Sequence, residues 1–321
     1  MSYEIAGAPS SSAAPSAKTR DQAKLKKRLK GFKPYLYMLP ALFSLGFWIY
    51  KPLVETFRLS LYEWNLLPTS PKTYVGTRNF EQLFSLPEMG ISIWNTLLYM
   101  IGVLPFSIIL PLFIAIATDN IGKRSRNVYR ALIFLPMIMA PVAVSSVWRW
   151  ILHPTNGILN QTLGRFIPMD EPIRYFTDER IAIWSIIFIT GWKMIGFSTL
   201  IFSAALTGIN KEYIEAARMD RANGFQVIWS IILPLLSPTI LFMTMMSTLF
   251  AAEWTFAYIN VLTQGGPFNS TTNIYYLLWT YGFQTFNIGS GSAAAVMFFL
   301  AFGLLAFGFM KLTKKLSFYD N

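Results

Sequence analysis

Six long stretches without charge constrain what this chain can fold into. Pro34 to Tyr50 is 17 residues, Met89 to Thr118 is 30, and Ala131 to Trp148 is 18. Ile181 to Asn210 is 30, interrupted only by Lys193; Ala222 to Ala252 is 31; Trp254 to Met310 is 57. About 20 mostly apolar residues cross a hydrocarbon core as a helix. The pattern predicts six spans, at 34–53, 92–117, 131–150, 182–206, 234–257 and 288–310. The last run is too long for one helix, and Gln264-Gly-Gly-Pro-Phe-Asn-Ser270 in its middle is turn chemistry. Strands of a membrane barrel would alternate polar and apolar over about ten residues. These runs are continuous, so the fold class is all-α and polytopic.

Composition then excludes several functions. There is no cysteine, so no thiolate metal site and no cysteine nucleophile, and one histidine, His153, makes no metal cluster or triad. The net charge of +11 leaves open a nucleic-acid surface or basic membrane flanks. The positions decide it. Of 27 Lys and Arg, 18 fall in the N-terminal tail, the second and fourth connections and the C-terminal tail; eight fall in the alternate connections. Basic loops stay in the cytoplasm, which predicts both termini inside. Trp48, Tyr50, Trp148, Trp150 and Trp184 stand near the ends of the expected spans, as interface anchors do. Residues 1–33 read as a disordered, basic cytoplasmic tail, 34–315 as the six-helix transmembrane domain, and 316–321 as a short cytoplasmic tail.

The fourth connection, 208–234, differs from the rest. Asn210 is placed to cap a helix that begins at Lys211, with Glu212 in the first turn, where the dipole favours an acid. Tyr213, Ala216 and Ala217 give a small apolar face suited to close docking. Glu215 and Met219 are four apart and project together. Asn223-Gly224 is expected to break the helix.

Here the sequence resembles the permease subunits of binding-protein-dependent ABC importers of the maltose-type carbohydrate family. Glu215-Ala216-Ala217, Gly224 and Ile231-Ile-Leu-Pro234 resemble the "EAA" loop of that family. Tyr37-Met-Leu-Pro40, Tyr50-Lys-Pro52 and Leu59-Ser-Leu-Tyr-Glu-Trp64 are similar to its first span. Tyr74-Val-Gly-Thr-Arg-Asn-Phe80 and Asn95-Thr-Leu97 resemble the approach to its second. Leu262-Thr-Gln-Gly-Gly-Pro267 with Ser270-Thr271 resembles the loop after its fifth. One position departs: the family usually has glycine six residues after the glutamate, where this chain has Arg221. Arg221 is read either as solvated or as meeting an acidic group on a partner.

The resemblance implies the type I importer fold. It also implies a homologous second permease subunit, two copies of a cytoplasmic ATPase and an extracytoplasmic solute-binding protein. The chain binds no cofactor itself, ATP and Mg being held by the ATPase partners, and it has no phosphate-loop motif of its own. It is not an enzyme, and its place is the bacterial cytoplasmic membrane. Glu215, Ala216, Ala217, Asp220 and Gly224 are assigned to ATPase coupling, with Glu215 the expected salt-bridge partner.

Charges within spans are costly and are functional candidates. Lys193 lies near the middle of the fourth span and Glu253 near the end of the fifth. Three readings stay open: they pair, they bind substrate hydroxyls, or Lys193 attracts an anionic substrate. Phe197, Phe250, Trp254 and Tyr258 complete the candidate pathway. A sugar or oligosaccharide is the expected substrate, and an acidic oligosaccharide or glycerol 3-phosphate the rival. An ion-coupled secondary transporter is the alternative class, with Glu253 as its only span carboxylate.

Overall fold

The structure is a computed structural model that describes residues 35–316 apart from 66, 68, 120, 168 and 169. The predicted N-terminal tail and residues 317–321 lie outside the described residues. Contacts divide the chain into two units, 1–55 and 56–321. In the first, residues 35–55 are helical. Phe43 stacks on Phe47 at 6.2 Å, and the Lys51 ammonium sits 4.8 Å over the Phe47 ring. Tyr35, Tyr37, Tyr50, Lys51 and Pro52 dilute its apolar character. It is therefore absent from the helices that qualify as spans by length and hydropathy.

The second unit contains four helices that do qualify, or five if one bent pair counts as a span. They are α1 (Pro87–Asp119), the bent pair α2 (Lys123–Ile138) and α3 (Pro141–Ile151), α4 (Ala182–Thr207), α6 (Gly224–Thr263) and α7 (Ile288–Leu316). The short helix α5 (Lys211–Met219) joins α4 to α6. The predicted spans 92–117, 182–206, 234–257 and 288–310 all lie inside these helices. Prolines in α1 and α6 are absorbed rather than breaking them. Pro105 opens a π-helical turn at Pro105–Ile109, and a π turn at Ile228–Ile232 precedes Pro234.

The predicted single span at 131–150 is corrected. Two helices meet there at 96°. Proline disfavours the helical conformation in the residue before it. Ala140, before Pro141, is extended with ψ 133°, and so is Met139 before it, with ψ 138°. Pro136 adds a missing N–H in the last turn of α2.

The most buried qualifying helix is the least hydrophobic. For α4, 61% of its best window is buried, against 28% or less for the other three, although its mean hydropathy is only 1.6. Lipid does not discriminate among apolar residues, so small and hydroxylic side chains collect where helices touch. Ser185, Thr190, Ser198, Thr199 and Ser203 are all buried along α4. Its Ile186 and Met194 join Tyr99, Val144 and Tyr258 in one core cluster; its Phe202 joins Leu236 and Met243 in another.

Four of the segments quoted for the family resemblance meet in pairs, all within the second unit. A small antiparallel ladder, β1 (Tyr62–Glu63) with β2 (Thr73–Tyr74), adds strand to a fold read as all-α. Buried Asn79 donates to the carbonyls of Ser60 at 2.8 Å and Tyr62 at 3.0 Å, closing that ladder. Asn95 donates to the carbonyls of Asn269 at 3.0 Å and Thr272 at 2.9 Å. The Tyr99 hydroxyl donates to Thr271 O at 2.9 Å, and Thr96 Oγ1 accepts from Ile274 N at 3.0 Å. One face of α1 thus holds the 263–273 loop. Gly265, at φ 81°, is required there: an added Cβ would lie 2.4 Å from Thr272 Oγ1.

Candidate coupling loop and transport pathway

Helix α5 begins where the sequence places it. Asn210 is the N-cap, its side chain accepting from Glu212 N at 3.1 Å. Its end differs from expectation. Arg221 N donates to Arg218 O and Ala222 N to Ala217 O, both at 3.0 Å, which is the paired bonding of a Schellman C-cap. Such a cap needs a left-handed residue, and Arg221 supplies it at φ 60°. The expected break at Asn223-Gly224 is therefore corrected to Arg221. This is the position where related permeases usually have glycine, so the turn survives without it. Asn223 instead starts α6, exchanging bonds with Gln226 in a capping box at 2.8 and 2.9 Å. Gly224 is simply its first residue, with nothing within 4 Å of an added Cβ.

A left-handed arginine is strained. Arg221→Gly is expected to stabilise the assembled protein by about 1 kcal/mol, measured as a raised unfolding midpoint. Arg221→Val, β-branched at the same φ, is expected to lower it. Equal midpoints for the three proteins would mean that the cap contributes nothing.

The faces of α5 divide differently from the small apolar face read in the sequence. Ile214 and Ala217 turn toward the cluster of Phe202, Leu206 and Val227. Ala216 is exposed, and Tyr213 is 42% exposed. Glu215 and Met219 project together as expected, Met219 being 84% exposed. Asp220 caps the helix and is exposed.

A cleft of about 680 Å³ opens beside α5. Ile116 and Asp119 from the end of α1, Arg126 from α2, and Leu206 from the end of α4 form one wall. Glu215, Arg218 and Gly224 form part of the other. Arg126 spans the cleft mouth to Asp119 at 3.3 Å, a half-exposed pair of small energetic weight. Glu215 forms no ion pair among the described residues, so its carboxylate is available at the rim. An apolar floor with a charged rim is the anatomy of a docking surface.

The pathway candidates are only partly brought together. Trp254 of α6 stacks on Phe250 at 5.7 Å and takes the edge of Phe197 of α4 at 6.3 Å. Glu253, the residue before Trp254, is exposed. Lys193, one turn before Phe197, does not reach Glu253: its Nζ donates to Met139 O at 2.9 Å. Tyr258 lies in the core, 1% exposed, and its hydroxyl has no hydrogen-bond partner. Sequence reading missed the partner of Lys193, since no pattern marks a carbonyl 54 residues away as free. Trp148, read from the sequence as an interface anchor, takes edge contacts at 5.5 Å from both Phe188 and Trp192.

Comparison with known proteins follows the same lines. Residues 92–316 match the family described as binding-protein-dependent transport system inner membrane component. The probable ABC transporter permease protein YesP of Bacillus subtilis is 33% identical over 84% of this chain and 87% of its own length. The sn-glycerol-3-phosphate transport system permease protein UgpA of Pectobacterium atrosepticum is 28% identical over 89% of this chain and 95% of its own length. A crystal structure of a bacterial ABC transporter involved in the import of the acidic polysaccharide alginate covers 92% of this chain and 100% of its own at TM-score 0.80 and 22% identity, which establishes the fold. The capped loop, the cleft beside it and a family match over residues 92–316 lead to one assignment: the chain belongs to the inner-membrane components of binding-protein-dependent transport systems and is a multi-pass permease subunit of an ABC importer.

Proposed function

We propose that this chain forms half of the translocation pathway of an ATP-driven importer for a sugar or oligosaccharide. The observation that carries it is α5 itself: a helix capped at both ends, standing over a cleft, with Glu215 exposed at the rim and in no ion pair among the described residues. A cytoplasmic ATPase subunit docks there. Glu215 makes a charge-assisted contact to it, Ala216 permits close approach, and Asp220 and Gly224 flank the contact, while Ala217 seats the helix. A homologous permease supplies the other half of the pathway, a second ATPase copy sits beneath that half, and a solute-binding protein delivers substrate from outside. This chain binds no cofactor; ATP and Mg belong to the ATPases, which hydrolyse the nucleotide. In this reading 35–59 and the bent pair complete six spans, both termini share one side, and the basic loops make that side the cytoplasm of a bacterial inner membrane.

Phe197, Phe250 and Trp254 offer rings to the C–H faces of a sugar, with Glu253 positioned to accept from its hydroxyls and Tyr258 behind them. A second reading, an anionic substrate, is favoured by two similar proteins, one a permease for sn-glycerol 3-phosphate and the other a transporter involved in alginate import. Proteoliposomes with the full complex separate the two. Uptake of a neutral oligosaccharide with binding-protein-stimulated ATP hydrolysis supports the first; uptake restricted to phosphorylated or carboxylated substrates supports the second. Uptake by this chain alone on an ion gradient refutes both.

A further inference from the structure

We infer that Lys193 is a positioning residue that pins the elbow between α2 and α3, not an ion partner of Glu253 and not a ligand for substrate. The last carbonyls of any helix lack partners within it. In water they are solvated, but inside hydrocarbon they must be satisfied by protein. The elbow at Met139–Ala140 creates such an end in the middle of a span. The Lys193 ammonium donates to Met139 O at 2.9 Å. It also brings a positive charge to the negative end of the α2 dipole. Both interactions reward the charged, donating form of the side chain in a place where a bare ammonium would be costly.

The neighbours of Lys193 on α4 grip the two arms of the elbow. Gly196, three residues on, lies so close to α2 that an added Cβ would stand 2.3 Å from Ile133 O and 2.7 Å from Phe134 Cα. Phe188 and Trp192 hold the other arm through Trp148 of α3. The elbow itself is two extended residues, each tied only to its own arm by these bonds: Met139 N donates to Pro136 O at 3.3 Å and Ala140 O accepts from Val144 N at 3.1 Å. Neither bond crosses the bend, whereas the contact of Lys193 with Met139 O reaches the apex from α4. Phe197 lies one turn beyond Lys193, so the elbow stands beside the aromatic group proposed to face substrate. Only the uptake readout below rests on the permease reading; the distance readout does not.

The chain has no cysteine, so an introduced pair can be labelled specifically in a complex with cysteine-free partners. Exposed Leu132 on α2 and Val147 on α3 are suitable positions. Spin labels there report the elbow by distance in the full importer in nanodiscs. Wild type and Lys193→Arg are expected to give one narrow distribution. Lys193→Met, which keeps the stem but removes donor and charge, is expected to broaden and shift it. Its maximal uptake rate should fall on the order of tenfold, with KM for the loaded binding protein within about twofold, and Lys193→Arg should restore the rate. An unchanged distance in Lys193→Met overturns the proposal. A raised KM without a change in distance would make Lys193 a substrate ligand instead. If Glu253→Gln alone reproduced the distance change, the ion-pair reading would replace it. Should Lys193→Met fail to insert, Lys193→Gln takes its place: it is shorter and uncharged, and an unaltered distribution there overturns the proposal equally.

Discussion

Glu215→Lys is expected to leave the chain inserted and assembled in the membrane while removing at least about 30-fold of binding-protein-stimulated ATP hydrolysis and of uptake. Folding should be unaffected, because Glu215 is exposed and has no ion pair among the described residues to lose. Exposed substitutions of that kind stay within about 0.5 kcal/mol. The effect falls instead on docking. Charge reversal replaces an attractive contact with like-charge repulsion at the rim of a 680 Å³ cleft, where partial desolvation strengthens both. Glu215→Gln keeps the shape and an acceptor, so its loss should be smaller. Basal hydrolysis by the isolated ATPase is the control. Full stimulated activity in Glu215→Lys, with normal expression, would remove Glu215 from the coupling contact and leave the cleft without a role.

Asn95→Leu carries the largest expected loss of stability, about 2–4 kcal/mol. Leucine keeps the branching at Cγ, with bulkier methyl groups, but donates nothing. The carbonyls of Asn269 and Thr272, now served at 3.0 and 2.9 Å, would be left without that donor in a region where Thr271, Thr272 and Asn273 are at most 2% exposed. The loop cannot simply tilt to recover water. Tyr99 and Thr96 still hold its C-terminal end, at Thr271 and Ile274, and Gly265 is packed against Thr272 and Tyr276. Thermal unfolding in detergent and limited proteolysis within 263–273 measure the two consequences. A loss below about 1 kcal/mol with unchanged proteolysis would mean that Asn95 is not what holds the loop.

The two variants also show what kind of information each feature carried. Glu215 was legible because a helix surface is a local matter: cap, first-turn acid and i,i+4 spacing are all written within ten residues. The role of Asn95 was not. Asn95-Thr-Leu97 and Gln264-Gly-Gly-Pro267 each stood out as family-like segments, yet nothing in either says that one binds the other 170 residues away. The pathway candidates divide in the same manner. Phe197, Phe250 and Trp254 do meet, whereas Tyr258, on the same stretch of α6, turned out to be core. In a helix whose apolar residues run all the way round, periodicity does not mark which side meets protein.

Arg221 gives the opposite lesson. Residue type argued for a break at Asn223-Gly224, because glycine tolerates left-handed backbone at no cost. The chain turns three residues earlier, on an arginine, because Ile214, Ala217 and Ala222 must all reach the cluster beneath α5. Packing of that face outweighs the roughly 1–2 kcal/mol of local strain.

By itself the sequence determined that this chain lives in a membrane as long helices, where most of them run, and where the α5 knob begins. Hydrophobic length and helix capping are local properties, and lipid leaves the backbone almost no alternative to a helix. Only the tertiary structure decided that the stretch predicted as the third span is an elbow, that α4 is its cradle, and that Lys193 answers Met139 rather than Glu253. Each of these depends on a carbonyl or a ring brought close by packing, and a buried polar group is satisfied by whatever the fold places next to it.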